Sequence, residues 1–313
     1  MKNLQWVIVV LVTAACAFAP TKMLALPYAD AEKNRAAMIV SADWLGKHLA
    51  DKNLVIIHIG DQAEYEAGHI PGAQYLALEN ISTPRGSGLT LELPAPDKLK
   101  AAFEQLGVSD NSRVILYFGK DWITPTARVF LTLDYLGMGA RTSILDGGMP
   151  AWRAAGQPLT IEIREAARGT LPPRPQQKLL VDAAWVQANS RKSSVALLDA
   201  RLPKFFDGTE AGNMPRAGHI PGAANLPFTS LINEADGKFK STTALRELFE
   251  RAGVRTNDTV VTYCHIGQQA SLLYFVARLL GYDAHLYDGS FQEWSARKDL
   301  PVEGKSEMSP PKQ

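Results

Sequence analysis

Apolar runs and amphipathic stretches alternate along this chain, and the alternation repeats. Short, largely apolar runs occur at Leu54 to Ile59, Val114 to Phe118, Val195 to Leu198 and Thr259 to Tyr263. A buried parallel strand faces apolar neighbours on both sides, so such runs predict parallel strands better than a period-two pattern would. Between them, helical patterns cover Pro96 to Leu106, Thr243 to Ala252, Ala127 to Leu136 and Ala270 to Leu280. Strand and helix in alternation predict βα units on a parallel sheet, with ligands at the carboxyl ends of the strands.

The string GHIPGA stands at 68–73 and again at 218–223, and the same order of elements surrounds both copies. Each half closes on Asp-Gly (Asp146-Gly147, Asp288-Gly289), with Trp152 or Trp294 six residues beyond the Asp. The duplication predicts two α/β domains, each a central parallel sheet flanked by helices, at 38–160 and 178–303. Between them, 161–177 carries Pro172, Pro173 and Pro175 and reads as an extended linker, and 304–313 as a polar tail.

Shared residues are expected to serve the fold, which assigns His69, His219, the two Trp and both Asp-Gly pairs to structure. Residues present in one half only are the candidates for chemistry. The halves diverge in the loop after the second long strand. In the second half, Tyr263 runs into Cys264-His265-Ile266-Gly267-Gln268-Gln269-Ala270 and a helix follows at once. The matching loop of the first half has no Cys and is longer, nine residues against six between Tyr and Ala. A thiol at a strand-to-helix turn meets unpaired N–H groups and the positive end of a helix dipole. Both favour a thiolate, so Cys264 is expected below the usual thiol range. Gly267 permits the curl that a loop around the sulfur needs. The bland reading is a buried Cys ending a core strand.

Composition narrows the setting. The formal net charge of +1 gives no reason to expect a nucleic-acid partner. At the N-terminus, Lys2, an apolar run from Trp6 to Val12 and small residues ending in an A-x-A pattern predict a secretory leader over 1–19, cut after Ala17. That places the mature protein in the periplasm or outside the cell; a lipoprotein at Cys16 and an uncleaved anchor are the alternatives. Apart from the leader no membrane contact is expected. Of the two cysteines, Cys16 belongs to the leader, so the mature chain has one thiol and no internal disulfide. Cys264 and His265 are adjacent, with no second Cys and no spaced His pair, so neither a metal nor another cofactor is expected.

Two GHIPGA halves, C-x-x-G-x-x-A after a strand, and a closing YDGS…EW resemble the tandem-domain rhodaneses, a family of thiosulfate and 3-mercaptopyruvate sulfurtransferases. The resemblance covers both domains. It implies an inactive N-terminal domain and a catalytic C-terminal one, with Cys264 carrying a persulfide and His265 to Ala270 cradling it. The implied partners are a small sulfur donor and a cyanide or thiol acceptor, with thiosulfate favoured over mercaptopyruvate as donor. Where better-known members place a donor-binding Arg, this chain has Phe205, so Lys204 and Arg216 are the substitutes to examine. Phosphatases on the same scaffold need C-x5-R, and Ala270 stands where that Arg would be. A persulfide carrier without turnover of small acceptors is the non-enzymatic alternative.

Overall fold

A computed structural model describes residues 26–84, 86–120 and 123–305. The leader and the tail beyond 305 lie outside the described residues. The first half comprises α1 (Leu26–Met38), β1 (Ile39–Val40), α2 (Ala42–His48), β2 (Leu54–Ile59), α3 (Gln62–Ala67), β3 (Gln74–Leu76), α4 (Pro96–Gln105), β4 (Arg113–Phe118), α5 (Ile123–Tyr135), β5 (Thr142–Leu145) and α6 (Gly148–Ala154). The second comprises β6 (Leu180–Val181), α7 (Ala183–Asn189), β7 (Val195–Asp199), α8 (Pro203–Phe206), β8 (Ala224–Asn225), α9 (Thr242–Arg251), β9 (Thr259–Tyr263), α10 (Gln268–Leu279), β10 (Asp283–Tyr287) and α11 (Ser290–Ala296). Strand orders β1-β5-β4-β2-β3 and β6-β10-β9-β7-β8 are the same topology twice, and every strand pairing is parallel.

The long strands are mostly apolar because both faces are covered. In β4, Val114 and Leu116 face a core shared by both domains, while Ile115 and Tyr117 face a core private to the first. In β9, Val260 joins the shared core and Val261 and Tyr263 a private one. Helices α5 and α10 pack against each other in the shared layer, with Phe130 edge-on to Phe275 at 4.7 Å. Across the same contact, the Tyr274 hydroxyl donates to Asp134 at 2.7 Å and Arg278 pairs with it at 3.2 Å.

The duplicated motif has a duplicated job. The N–H of Ile70 donates to the Tyr117 hydroxyl, as that of Ile220 does to Tyr263, tying GHIPGA to the end of the central strand. His69 stacks on Tyr65 and His219 on Phe206, each ring bonded to the backbone oxygen of the residue beneath. Trp152 and Trp294 are buried and donate to the carbonyls of Pro158 and Pro301.

Two features differ from expectation. The helix α1 lacks an apolar stripe of helical period, so no local pattern predicts it; Ala31 is buried in the shared core and polar contacts reach both domains. Asn34 donates to the Leu279 carbonyl, and Arg35 to that of Lys240 while lying 3.7 Å from Asp146. The stretch 161–176 has no helix or strand yet is docked on the first domain. Leu171 is buried, its N–H donates to Glu104, and the N–H of Gln176 donates to the Tyr135 carbonyl.

Candidate functional site

The sheet of the second domain delivers Cys264 to the carboxyl end of its central strand β9, at the mouth of α10. The turn between them is tight because Gly267 adopts φ +83, a conformation costly for residues with a Cβ. This curl turns the N–H groups of Ile266, Gln269 and Ala270 onto the sulfur, where each favours the thiolate. The sulfur is fully enclosed, and this corrects the expectation from sequence. Burial pushes the Cys264 thiol up, the three N–H groups pull it down, Asp199 adds to the rise, and the outcome lies above the usual thiol range. A turn sequence reveals the donors but not the water that its neighbours exclude.

The remaining loop residues have distinct surroundings. His265 is half-buried, edge-on to Phe205 at 4.7 Å, and pushed down by burial and then by Arg201, so its ring is neutral at neutral pH. Gln268 reaches the other domain, donating to Thr124 Oγ1 at 3.2 Å. The Gln269 side chain lies beside the His265 ring, where it favours the protonated form. Ala270 is buried, and its carbonyl accepts from Thr262 at 3.1 Å.

Beneath the loop, Arg201 and Asp199 form a buried pair bonded through Nε and Nη2, with Nη2 at 2.5 Å from Asp199 Oδ2. The Arg201 guanidinium lies over the Phe291 ring at 4.1 Å from its centroid.

A second segment grips the strand end from the side. The N–H groups of Phe291 and Gln292 donate to the carbonyls of Cys264 and His265, both at 2.9 Å. The N–H of Cys264 donates to Ser290 Oγ at 3.3 Å. Ser290 is buried at φ +52, a strained conformation for a residue with a side chain. The first half has Gly148 in this place, also at positive φ. The repeat carries the signal for this difference, Asp-Gly-Gly in the first half against Asp-Gly-Ser in the second.

The two cations expected to serve donor binding have different surroundings. Arg216 is a correction: its guanidinium donates to the carbonyls of Trp294, Ser295, Arg297 and Leu300, all at 2.8–2.9 Å. It caps the carbonyls at and just beyond the end of α11, which occupies four of its five N–H groups. Lys204 is exposed and pairs with Glu210 at 3.0 Å, its ammonium 5.1 Å from the centroid of Phe205. It stands one residue from the ring that contacts His265. At the place of Cys264 the first domain has Phe118, the last residue of β4, followed by Gly119. Among the described residues no cluster of His, Cys, Asp and Glu suits a metal ion, and no helix is long and apolar enough to cross a membrane.

Comparison with known proteins agrees with this geometry. The rhodanese-like domain family matches residues 41–155 and again 182–297. A sulfur carrier protein, TtuD, of Thermus thermophilus is 32% identical over 284 residues, covering 85% of this chain and 96% of that protein. A probable 3-mercaptopyruvate sulfurtransferase of Pseudomonas aeruginosa is 33% identical over 280 residues, covering 85% and 98%. A thiosulfate sulfurtransferase of the same organism is 30% identical over 271 residues, covering 85% and 97%. Among solved structures, wild-type EanB superposes with a TM-score of 0.77 at 21% identity, over 87% of this chain and 70% of its own. YnjE does so at 0.73 and 24%, over 85% and 68%. With two matched domains, one topology used twice and a cysteine loop in the second copy alone, the chain belongs to the rhodanese family as a tandem-domain member.

Proposed function

We propose that this protein is a sulfurtransferase that moves a sulfane sulfur through a persulfide on Cys264, with thiosulfate as the preferred donor over 3-mercaptopyruvate. The carrying observation is the convergence of three backbone N–H groups on a single sulfur at the N-terminus of α10. In the first step the Cys264 thiolate attacks the outer sulfur of thiosulfate; the S–S bond to sulfur(IV) breaks, sulfite leaves with the electron pair, and Cys264–S–S⁻ remains. In the second, cyanide or a thiolate attacks the terminal sulfur and the Cys264 thiolate is regenerated as leaving group. Covalent relay of this form gives ping-pong kinetics. The loop N–H groups are rigid donors for the anion in both states, and enclosure keeps water from it. Lys204 is the cation that supports an anionic donor at the rim, beside Phe205 and His265.

Cys264→Ser is expected to abolish both the persulfide mass increment and thiocyanate production from thiosulfate and cyanide; retained turnover would refute the relay. Because burial raises the thiol, the loading rate of the wild type is expected to climb with pH through the ordinary thiol range, and a flat profile there would oppose the geometry. A second reading, a persulfide carrier that delivers to a protein acceptor, is favoured by the likeness to the sulfur carrier protein. It predicts a stable Cys264 persulfide with negligible turnover of cyanide or small thiols. Steady-state rates with thiosulfate and with mercaptopyruvate, alongside the mass of the loaded chain, separate all of these.

A further inference from the structure

The domain without a cysteine places a charged side chain against the loop of the domain that has one. Arg128 lies in α5 of the first domain and its side chain is 1% exposed. Its Nη2 lies 2.6 Å from Asp288 Oδ1, an ion pair rather than an aligned hydrogen bond, and donates to the Leu91 carbonyl at 2.5 Å. Nη1 and Nε have no partner among the described residues. A Cβ on Gly267 would stand 3.0 Å from Arg128 Nη1 and 3.2 Å from Asp288 Oδ1, so both charged groups abut the cysteine loop at the mouth of α10.

The repeat shows this to be one-sided. Ala127-Arg128 aligns with Ala270-Ser271, and the Ser271 hydroxyl donates within its own helix to the Gly267 carbonyl at 2.8 Å. The reciprocal aspartate, Asp146, accepts from the Phe239 N–H and pairs with the partly exposed Arg35 at 3.7 Å, with no buried guanidinium against it among the described residues. An arginine this deeply buried, with two unspent donors, is costly unless the charge is used. The carboxylate of Asp288 beside Gly267 repels negative charge on the loop, and a buried guanidinium directly against it cancels that field where the dielectric is low.

We propose that Arg128 is a positioning residue supplied across the domain interface: by neutralising Asp288 and seating Gly267, it holds the loop in the form that accepts negative charge on Cys264. This rests on the reading of Cys264 as the sulfur acceptor. The N-terminal domain is then a working half of the site rather than a scaffold. Other charged or titratable groups around the loop are Asp199 and Arg201 from β7 and the residues after it, Tyr263 and His265 in the loop strand, Glu92 on the first-domain segment beside Asp288, and Glu293 on α11. All are unchanged in the comparison below.

The test uses the full chain and the ultraviolet absorbance of the Cys264 thiolate as a function of pH, with sulfur loading from thiosulfate followed by mass. Arg128→Gln is expected to raise the thiol midpoint by about half to one pH unit, and to slow loading at fixed pH about three- to tenfold. Arg128→Lys, which restores charge without the fork, is expected to recover most of the midpoint. Asp288→Asn in the Arg128→Gln background is expected to return it toward the wild type, which a packing role would not do. If Arg128→Gln titrates like the wild type, or Asp288→Asn fails to compensate, the proposal falls. Should Arg128→Gln not fold, Asp288→Asn alone decides: it must lower the midpoint, and an unchanged midpoint overturns the proposal. A wild-type chain that never acquires the persulfide mass refutes the sulfur-acceptor reading instead, while the titrations still report whether Arg128 and Cys264 are coupled.

Discussion

At the scale of single residues, burial decides the chemistry more than identity does. Cys264 and His58 are both enclosed at strands of equivalent sheets, one near the end of β9 and one in β2. Three N–H groups offset part of the burial of Cys264, whereas His58 gains only the smaller pulls of Glu64 and of the backbone at Asp61. The imidazole is accordingly pushed down to about 4, by burial first, against the smaller opposing pull of Glu64. The sign follows from linkage: the unfolded chain binds a proton here below its ordinary value near 6.5, and the folded chain does so only near 4. Stability from this group is therefore full above about pH 6.5 and declines as pH falls toward 4, by at most about 3 kcal/mol. Urea unfolding of the wild type and of His58→Leu across that window should show the slope in the first and its loss in the second.

At the scale of elements, the helix α4 has a second task at its C-terminal turn. Glu104 is almost fully buried there, and its carboxylate accepts from the Leu171 N–H at 2.9 Å, pairs with Lys100 at 2.7 Å and meets Arg168 at 3.2 Å. The Leu171 N–H first, and Lys100 next, draw its carboxyl down to about 2. The docking contribution is thus present above the ordinary carboxylate range and lost as pH falls toward 2. Glu104→Gln is expected to release the stretch around Leu171 at neutral pH, read as several-fold faster tryptic cleavage after Arg168 and faster exchange of the Leu171 amide. Composition alone reads Pro172, Pro173 and Pro175 as a tether. The docking escapes such a reading because it depends on one carboxylate more than sixty residues earlier in the chain.

At the scale of the molecule, the halves are bolted together by a reciprocal pair of contacts. The N–H of Leu93 in the first domain donates to Asp288 of the second, and that of Phe239 in the second to Asp146 of the first, each at 2.9 Å. Thr90 and Gln292 add a two-way bond, N–H to Oε1 at 2.9 Å and Nε2 to Oγ1 at 3.2 Å. The shared core runs through both sheets, and α1 spans the join. One cooperative unfolding transition is expected for the whole chain. Asp146→Ala leaves the Phe239 N–H without its acceptor and should lower stability by about 1–3 kcal/mol, measured by thermal or urea unfolding. The Asp-Gly pairs, conspicuous in the repeat as structural residues, are thus structural between domains as well as within them.

The local pattern of this chain was sufficient for everything that depends on short-range periodicity and on comparing one half with the other. It determined the long central strands, the duplicated α/β plan, the turn that holds Cys264 and the restriction of that thiol to the second copy, because each is written within a few residues. Only the tertiary structure decided the sign of the shift on Cys264, the commitment of Arg216 to the end of α11, the docking of the linker and the arrival of Arg128 at Gly267. Those outcomes are set by which distant groups displace water around a charge, and desolvation and pairing across domains leave no trace in local sequence.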